Sequence, residues 1–251
     1  MEVKAMELAQ QLKTLKINEA ANVLDEILLK SQEENHTYQQ FLDRLLSFEI
    51  KKREQKDLEK RLKWAAFPEI KRLEDFDTTK QPAISNKQLN QLKELLWMEH
   101  AYNLILLGPP GVGKTFIATG LGLIAVEKGY NVSFIQMDTL MQLLKTKDIT
   151  RSSKTRVNRM LSAHLIIIDD LMFIEMDKNE ANLFFQFINK LYNQSSIIIT
   201  SNKGPKDWGE LLGDQAITTA ILDRILHKSE VINLKGDSYR IQNRNTIFGN
   251  F

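Results

Sequence analysis

Apolar residues change their spacing along the chain, from a helical repeat at the start to short continuous runs later. Within residues 1–66, apolar side chains recur every three or four positions after a predicted N-cap at Asn18. They are Ala20, Val23, Leu24, Ile27 and Leu28. Thr37 and Gln40 form a capping-box pattern ahead of a long helix, which we expect to run to about Ala66 because Phe67-Pro68 disfavours its continuation.

From residue 103 onward, apolar runs of strand length alternate with helical segments. This alternation predicts an α/β fold, with a parallel five-stranded sheet flanked by helices on both faces. The strand candidates are 103–107, 132–136, 165–169, 197–201 and 231–234. We therefore predict a small all-helical N-terminal domain at 1–66, a linker at 67–87 and an α/β domain at 88–251.

Composition narrows the classes of function without selecting one. The chain has 251 residues, 43% of them hydrophobic, so a sizeable core can form. The absence of cysteine excludes disulfides and thiolate metal sites, and the 4 histidines are far apart in sequence. A net charge of +2 gives no general argument for nucleic-acid binding. Neither a signal peptide nor an apolar run of roughly 18 residues is found, so we expect a cytoplasmic protein without a membrane partner.

One glycine-rich segment carries a specific chemistry. Residues 108–115 match G-x-x-x-x-G-K-[ST] in full, between an apolar strand and a helical run, which is the context that a phosphate-binding loop requires. Lys114 can reach the β- and γ-phosphates of ATP, and the Thr115 hydroxyl can bind Mg²⁺. The predicted nucleotide contacts are Gly108, Pro109, Pro110, Gly111, Val112, Gly113, Lys114, Thr115 and Phe116.

Two adjacent carboxylates end the apolar run 165–169. Asp169 has the position of an acid that binds Mg²⁺, directly or through water. Asp170 follows at once and can orient or activate an attacking water. A second acid in this place favours hydrolysis over simple phosphoryl transfer, so we predict an ATPase.

Two further polar positions are candidates for the same reaction. Asn202 follows the fourth apolar strand and can contact the γ-phosphate or the water, although Ser-Asn pairs also begin turns. Arg224 lies in an aliphatic helix and can stabilise the charge that develops in phosphoryl transfer. An equally good interpretation is that Arg224 is an ion-pair partner of Asp223 or an ordinary surface arginine.

Two basic segments are candidates for contacts to phosphate backbones. Residues 51–63 mix seven basic with three acidic side chains, which is also typical of a solvated helix face. Residues 151–159 contain four basic residues and no acid, with hydroxyls between them. The predicted DNA contacts are Arg151, Lys154, Arg156, Arg159, Lys51, Lys52 and Arg53.

The order of these motifs resembles the AAA+ ATPases of the initiator and helicase-loader clade, and within it the IstB-like transposition helpers, near kin of the DnaC loaders. The resemblance covers nearly the whole chain, and its specific parts are Phe67-Pro68 and the tail motif Gly236-Asp237-Ser238-Tyr239-Arg240. It implies that Asn202 is a sensor residue and that Arg224 is an arginine finger acting on a neighbouring subunit. It also places residues near 141–160 on the DNA path, and it makes Arg240 a weak candidate for a second sensor.

We therefore expect an ATP- and Mg²⁺-dependent ATPase, with a DNA- or partner-binding domain at 1–66 and an AAA+ ATPase domain at 88–251, that assembles as a ring or helical filament on duplex target DNA. It would deform this DNA, deliver it to an IstA-like transposase or stimulate that enzyme, and disassemble after hydrolysis. The alternative is a DnaC-like helicase loader that binds single-stranded DNA. A third class, a small-molecule kinase, predicts a monomer whose turnover is unaffected by DNA.

Overall fold

The computed structural model describes residues 2–171, 176–208 and 215–239. The chain divides into two units, Met1–Lys60 and Arg61–Phe251. This division falls earlier than the predicted domain end at residue 66 and places residues 67–87 in the second unit. The functional division into a DNA-binding and an ATPase domain stays a prediction.

Helices make up the first unit. They are α1 (Glu2–Thr14), α2 (Asn18–Ala21), α3 (Leu24–Glu33) and α4 (Tyr38–Ala65), of which residues 61–65 belong to the second unit. Ala20, Leu24, Ile27 and Leu45 form the buried core. The apolar residues predicted at helical spacing over 20–28 do pack together, but on two helices with a break at residues 22–23. The predicted N-cap at Asn18 is wrong, since Ile17 precedes α2 without a side-chain cap.

Both ends of α4 follow from the sequence. The Gln40 N–H donates to Thr37 Oγ1 over 3.3 Å, and the Thr37 N–H donates to Gln40 Oε1 over 2.8 Å, so the predicted capping box is confirmed. The helix ends at Ala65, and Ala66 has a left-handed φ of 55° before Phe67-Pro68. The predicted end is therefore correct within one residue.

Inside the first unit, a buried carboxylate joins α4 to α2. Glu49 is 5% exposed, accepts a 2.8 Å hydrogen bond from the Ala20 N–H and pairs with Arg53 at 2.7 Å. Burial by itself raises the pKa of Glu49, but the Ala20 N–H and the Arg53 guanidinium outweigh it and lower that pKa below its ordinary value. The Glu49–Arg53 pair thus stabilises the helical unit.

A segment of short helices precedes the sheet. It contains two 3₁₀ turns, Leu73–Asp75 and Thr78–Lys80, followed by α5 (Asn86–Glu94) and α6 (Leu96–Glu99). Ser85 and Gln88 cap α5 reciprocally. The segment predicted as a linker with a short following helix therefore has local structure of its own.

A five-stranded parallel sheet organises the second unit, in the order β2-β3-β4-β1-β5. The strands are β1 (Asn103–Leu107), β2 (Val132–Gln136), β3 (Leu165–Asp169), β4 (Ser196–Ser201) and β5 (Ser229–Asn233). Three of the predicted strands have the observed bounds, and the fourth begins one residue later than β4. The fifth was placed two residues too late at its start, because β5 begins with the polar pair Ser229-Glu230.

Helices cover both faces of the sheet. They are α7 (Lys114–Glu127), α8 (Met137–Thr146), α9 (Arg151–Leu161), α10 (Lys178–Leu191) and α11 (Gln215–Leu226). Gly122 of α7 lies against Ile167, whereas Ile166 and Ile168 belong to a core shared with α8, α10 and α11. Because side chains alternate along a strand, these neighbours define opposite faces. The predicted α/β fold is confirmed.

Since all strands are parallel, their carboxyl ends meet at one edge of the sheet. The segments that follow β1, β3 and β4 therefore begin side by side, with the β1 and β3 ends flanking that of β4. Open parallel sheets bind ligands at this edge. In the part of the chain that the structure describes, no helix has the length and apolar character needed to cross a membrane.

Candidate nucleotide site

The phosphate loop joins the carboxyl end of β1 to the amino end of α7. Gly113 is the N-cap of α7 with a left-handed φ of 100°, and the ring of Phe76 lies where a Cβ would project. Both the backbone angle and the close ring require glycine at this position. The loop thus leads directly into a helix N-terminus, where backbone N–H groups favour an anion.

Lys114 begins α7 and is nearly buried, at 6% exposure. Its ammonium donates hydrogen bonds of 2.7 Å to the Gly108 carbonyl and 2.9 Å to the Pro109 carbonyl. These bonds direct the charge across the mouth of the loop. The ammonium is therefore positioned to meet phosphate oxygens held there.

Asp169 receives two hydroxyl hydrogen bonds at the end of β3. Thr115 Oγ1 donates to Asp169 Oδ1 over 2.9 Å, and Thr200 Oγ1 donates to the same oxygen over 2.6 Å. The Asp169 side chain is buried, while Thr115 and Thr200 come from α7 and β4. Two separate parts of the chain, α7 and β4, therefore converge on the carboxylate at the end of β3.

The electrostatics of Asp169 follow from its burial. Burial raises the pKa of this carboxyl, and the neighbouring charge of Asp170 raises it further. The hydroxyls of Thr200 and Thr115 and the charge of Lys114 act in the opposite direction, but the pKa stays above its ordinary value. A cation beside Asp169 would compensate the buried charge.

The oxygen donors at this position suit Mg²⁺, which prefers carboxylate and hydroxyl ligands together with phosphate oxygens. Thr115 and Asp169 offer one of each within hydrogen-bonding distance of each other. The described residues contain no cluster of three or more His, Asp or Glu side chains that could hold a metal by themselves. A metal here would therefore share its coordination with phosphates and water.

Asp170 points away from Asp169 because the backbone turns sharply between them. Its φ is 54°, in the left-handed region, and its side chain is exposed. The Asp170 N–H donates to Thr200 Oγ1 over 2.9 Å, which holds this turn. Asp170 is thus presented to solvent beside the buried Asp169, as a residue that handles water must be.

Thr200 is a site residue to which the sequence alone assigned no role. It is fully buried at the end of β4, where its hydroxyl donates to Asp169 and accepts from the Asp170 N–H. The sequence places Thr200 beside Asn202, but only the pairing of β4 with β3 places it against Asp169. Asn202 lies directly after β4 with an exposed side chain.

Arg224 does not reach the phosphate loop of its own chain. Its guanidinium donates to Asn189 Oδ1 and to the Ala220 carbonyl, at 2.8 and 2.9 Å, and stacks on Phe185. Arg224 lines a cleft with Asn103 and Ile197, near the amino ends of β1 and β4. The phosphate loop follows the carboxyl end of β1, about 16 Å away along a five-residue strand.

The basic candidates separate into two sets. Arg151, Lys154 and Arg156 are exposed on α9, whereas Arg159 stacks on the Trp64 ring at 4.5 Å. Burial, and then the charge of Arg156, lower the pKa of Arg159. Lys51, Lys52 and Arg53 lie on α4 in the first unit. Arg53 also donates to the Lys16 carbonyl and binds Glu49, so it has a structural role whatever else it contacts.

The remaining residues to place are two aromatic side chains, Asn103 and Arg240. Phe76 and Phe116 have ring centroids 5.6 Å apart beside the phosphate loop. Asn103 is buried at the amino end of β1, where it donates to the Ile225 carbonyl and accepts from the Ile197 N–H. Asn103 therefore lies at the edge of the sheet opposite to the phosphate loop. Arg240 lies outside the described residues.

The strand order, the phosphate loop after β1 and the acidic end of β3 define the class of protein, a P-loop ATPase fold of the AAA+ type. Solved structures share this fold. AMPPCP-bound DnaA from Aquifex aeolicus has a TM-score of 0.54 at 22% identity, over 69% of this chain and 53% of that one. DnaI has a TM-score of 0.55 at 17% identity, over 68% of this chain and 90% of that one.

The chain belongs to the family of IstB-like ATP binding proteins, whose model matches residues 10–247. It is 41% identical to the ATP-binding protein of insertion sequence IS21 from Pseudomonas aeruginosa, over 95% of this chain and 90% of that protein. It is 40% identical to an IS21-like ATP-binding protein from Bacteroides fragilis, over 97% and 93%. The resemblance drawn from the motifs is confirmed.

Proposed function

We propose that this protein is an ATP-hydrolysing regulator of transposition that assembles on duplex target DNA and presents it to the transposase of its element. The observation that carries the proposal is the convergence of Lys114, Thr115 and Asp169 at the carboxyl edge of the sheet, with Asp170 exposed beside them. The names of the relatives, which are ATP-binding proteins of insertion sequences, supply the biological context.

In this proposal the chain binds ATP through the loop at 108–115. The N–H groups of the loop and Lys114 hold the phosphates, and the side chains of Thr115 and Asp169 hold Mg²⁺. Mg²⁺ would neutralise charge on the phosphates during transfer. Phe116 and Phe76 lie where they can pack against the nucleoside.

Hydrolysis is assigned to the two polar side chains at the solvent side of Asp169. Asp170 orients the attacking water and accepts its proton, since its carboxylate is exposed and its backbone is fixed by Thr200. Asn202, which follows the adjacent strand, holds the water or a γ-phosphate oxygen. The products are ADP and phosphate.

Assembly is assigned to Arg224. Its location near the amino edge of the sheet keeps it away from the phosphate loop of its own chain, so the ATP that it acts on would be held by a neighbouring subunit. A head-to-tail contact of this kind closes into a ring or continues as a helical filament. ATP binding would therefore favour the oligomer, and ATP hydrolysis would cause the oligomer to dissociate.

DNA binding is assigned to the exposed basic residues of α9, with a second contribution from Lys51, Lys52 and Arg53 on α4. On α9, Arg151, Lys154 and Arg156 are spaced over about one and a half helical turns, or about 8 Å. This span suits contacts to neighbouring phosphates of a duplex. An oligomer following the duplex would bend or untwist it, which prepares the DNA for strand insertion.

The test is the ATPase rate measured against protein concentration, with and without duplex DNA. We expect the rate per subunit to rise with concentration and to rise again with duplex DNA, because each site needs a neighbour. A rate per subunit independent of both would refute the shared site and favour a kinase-like monomer. Gel shifts that compare duplex with single-stranded DNA in the presence of ATP test the remaining alternative, a helicase loader. A helicase loader prefers single-stranded DNA, whereas our proposal requires a preference for duplex DNA.

A further inference from the structure

The chain that follows β5 runs along the outer side of the phosphate loop. The Leu234 N–H donates to the Leu107 carbonyl over 2.8 Å, and the Leu234 carbonyl leaves no room for a side chain at Gly108. Further on, the Tyr239 N–H donates to the Gly111 carbonyl over 3.1 Å. Residues 234–239, here called the bracing segment, therefore contact the loop at its start and in its middle.

Gln81 lies between the bracing segment and the loop, with only 4% of its surface exposed. Its amide nitrogen donates to the Val112 carbonyl over 3.2 Å and to the Lys235 carbonyl over 2.9 Å. Its amide oxygen accepts from the Lys235 N–H over 3.1 Å and from the Ala83 N–H over 3.4 Å. Both the nitrogen and the oxygen of the Gln81 amide therefore have hydrogen-bond partners. Exchanging these two atoms would place the amide oxygen against two carbonyl oxygens, which is unfavourable.

These contacts determine the direction of two N–H groups in the loop. A peptide unit is planar and trans, so its N–H points opposite to its carbonyl. Gln81 holds the Val112 carbonyl outward, which turns the Gly113 N–H inward. The Tyr239 N–H holds the Gly111 carbonyl outward, which turns the Val112 N–H inward in the same way. Inward N–H groups are the donors that cradle phosphates.

We infer that Gln81 is a positioning residue of the nucleotide site, which orients the loop N–H groups by fixing the Val112 carbonyl and the bracing segment together. The inference rests on the proposed function, because it assumes that phosphates bind in the loop. It also assigns a role to the part of the tail motif that the structure describes, Gly236 to Tyr239. This part braces the loop from outside.

The experiment compares Gln81→Glu with the wild-type chain in titrations with fluorescent ATP and ADP in the presence of Mg²⁺. Glutamate keeps the shape of the side chain but replaces the donor to the Val112 and Lys235 carbonyls by an acceptor. We expect affinity for both nucleotides to fall about tenfold, because misdirected N–H groups lose hydrogen bonds to a charged ligand. Gln81→Met, which buries no carboxylate, is the second variant, with the same expected direction.

Asn103→Ala is the matched control. Asn103 is equally buried in the same unit and makes two side-chain bonds to backbone groups, but it lies at the opposite edge of the sheet. We expect it to lower the melting temperature as the Gln81 variants do, with unchanged nucleotide affinity.

Three outcomes overturn the inference. Unchanged affinity in both Gln81 variants overturns it, and so does an equal loss in Asn103→Ala, which would show a general effect of stability. If the wild-type chain binds neither nucleotide, the proposed function fails and the inference fails with it. Binding by the wild-type chain therefore distinguishes the two failures.

Discussion

At the scale of the residue, the site combines two carboxylates that differ in environment. Asp169 is buried and accepts two hydroxyl hydrogen bonds on one oxygen, whereas Asp170 is exposed on a left-handed backbone turn. Burial without a cation is unfavourable for the charged form of Asp169, which is why its pKa is raised. Ionisation of Asp169 therefore costs folding stability, and a bound cation would offset that cost.

Replacing Asp169 by Asn should stabilise the nucleotide-free protein at neutral pH, because the amide oxygen still accepts from Thr115 and Thr200 without a buried charge. A folded-state pKa above the ordinary value means that ionisation costs folding stability. The advantage of the variant should thus be absent below pH 3.8, the ordinary value, and should grow as pH rises through the folded pKa. Urea unfolding at several pH values measures it, and an advantage that shrinks with rising pH would contradict the argument.

Thr200→Val should lower the turnover of ATP by about tenfold or more while changing KM little. The hydroxyl fixes both the Asp169 oxygen and the Asp170 N–H, so its loss misplaces the groups that act on the water and the metal. Thr200→Ser keeps the hydroxyl and should retain most of the turnover. Steady-state kinetics on both variants test this, and equal turnover in Val and Ser would remove Thr200 from the site.

At the scale of the element, helices α4 and α9 carry charge for different purposes. On α4, the buried carboxylate of Glu49 pairs with the exposed guanidinium of Arg53 and accepts a hydrogen bond from α2. Arg53, one of the predicted DNA contacts, therefore already has an ion-pair partner. On α9, the residues 153, 157 and 160 are buried, whereas Arg151, Lys154 and Arg156 are left on the exposed side. A similar charged composition therefore stabilises the fold in one helix and leaves exposed basic side chains, which we propose bind DNA, in the other.

Glu49→Gln should destabilise the helical unit by about 1–3 kcal/mol at neutral pH, since hydrogen bonds to a buried charged group are lost or weakened. Because the pKa of Glu49 is lowered, its contribution is present above the ordinary value of 4.5 and is lost as pH falls through the folded pKa. Circular dichroism during acid titration should show that the difference in stability between the wild type and Glu49→Gln disappears at low pH. Glu54→Gln, at an exposed position of the same helix, is the control and should change little.

Arg156→Ala and Lys154→Ala on α9 should each weaken duplex binding at all sequences and reduce the slope of log affinity against log salt by about one. Lys87→Ala removes an exposed charge from α5 and should leave both quantities unchanged. Fluorescence anisotropy with duplex DNA at several salt concentrations is the measurement. An unchanged slope in both α9 variants would exclude this face from the DNA interface.

At the scale of the whole molecule, the phosphate loop and Arg224 lie at opposite edges of the parallel sheet. The phosphate loop follows the carboxyl end of β1, and Arg224 lies near the amino ends of β1 and β4. In the proposed function, one chain therefore binds ATP at one edge and offers an arginine at the other. This polarity is what a head-to-tail assembly requires.

Arg224→Ala and Lys114→Ala should each abolish most of the ATPase activity when assayed alone, for different reasons. The first keeps a nucleotide site but lacks the arginine for its neighbour, and the second keeps the arginine but cannot bind ATP. Mixing them should restore part of the activity, because some neighbours then form a complete site. Activity of the mixture no higher than the average of the two separate proteins would refute a site shared between subunits.

Sequence by itself determined the features that depend on neighbours along the chain. The bounds of three strands, the capping box at Thr37, the phosphate loop and the Asp169-Asp170 pair all follow from local spacing and backbone preference. Only the tertiary structure decided which residues meet at the site. Thr200 reaches Asp169 through the pairing of β4 with β3, Gln81 meets Lys235 across most of the chain, and Arg224 lies near the far edge. Strand order and long-range packing set these contacts, and local sequence carries no record of either.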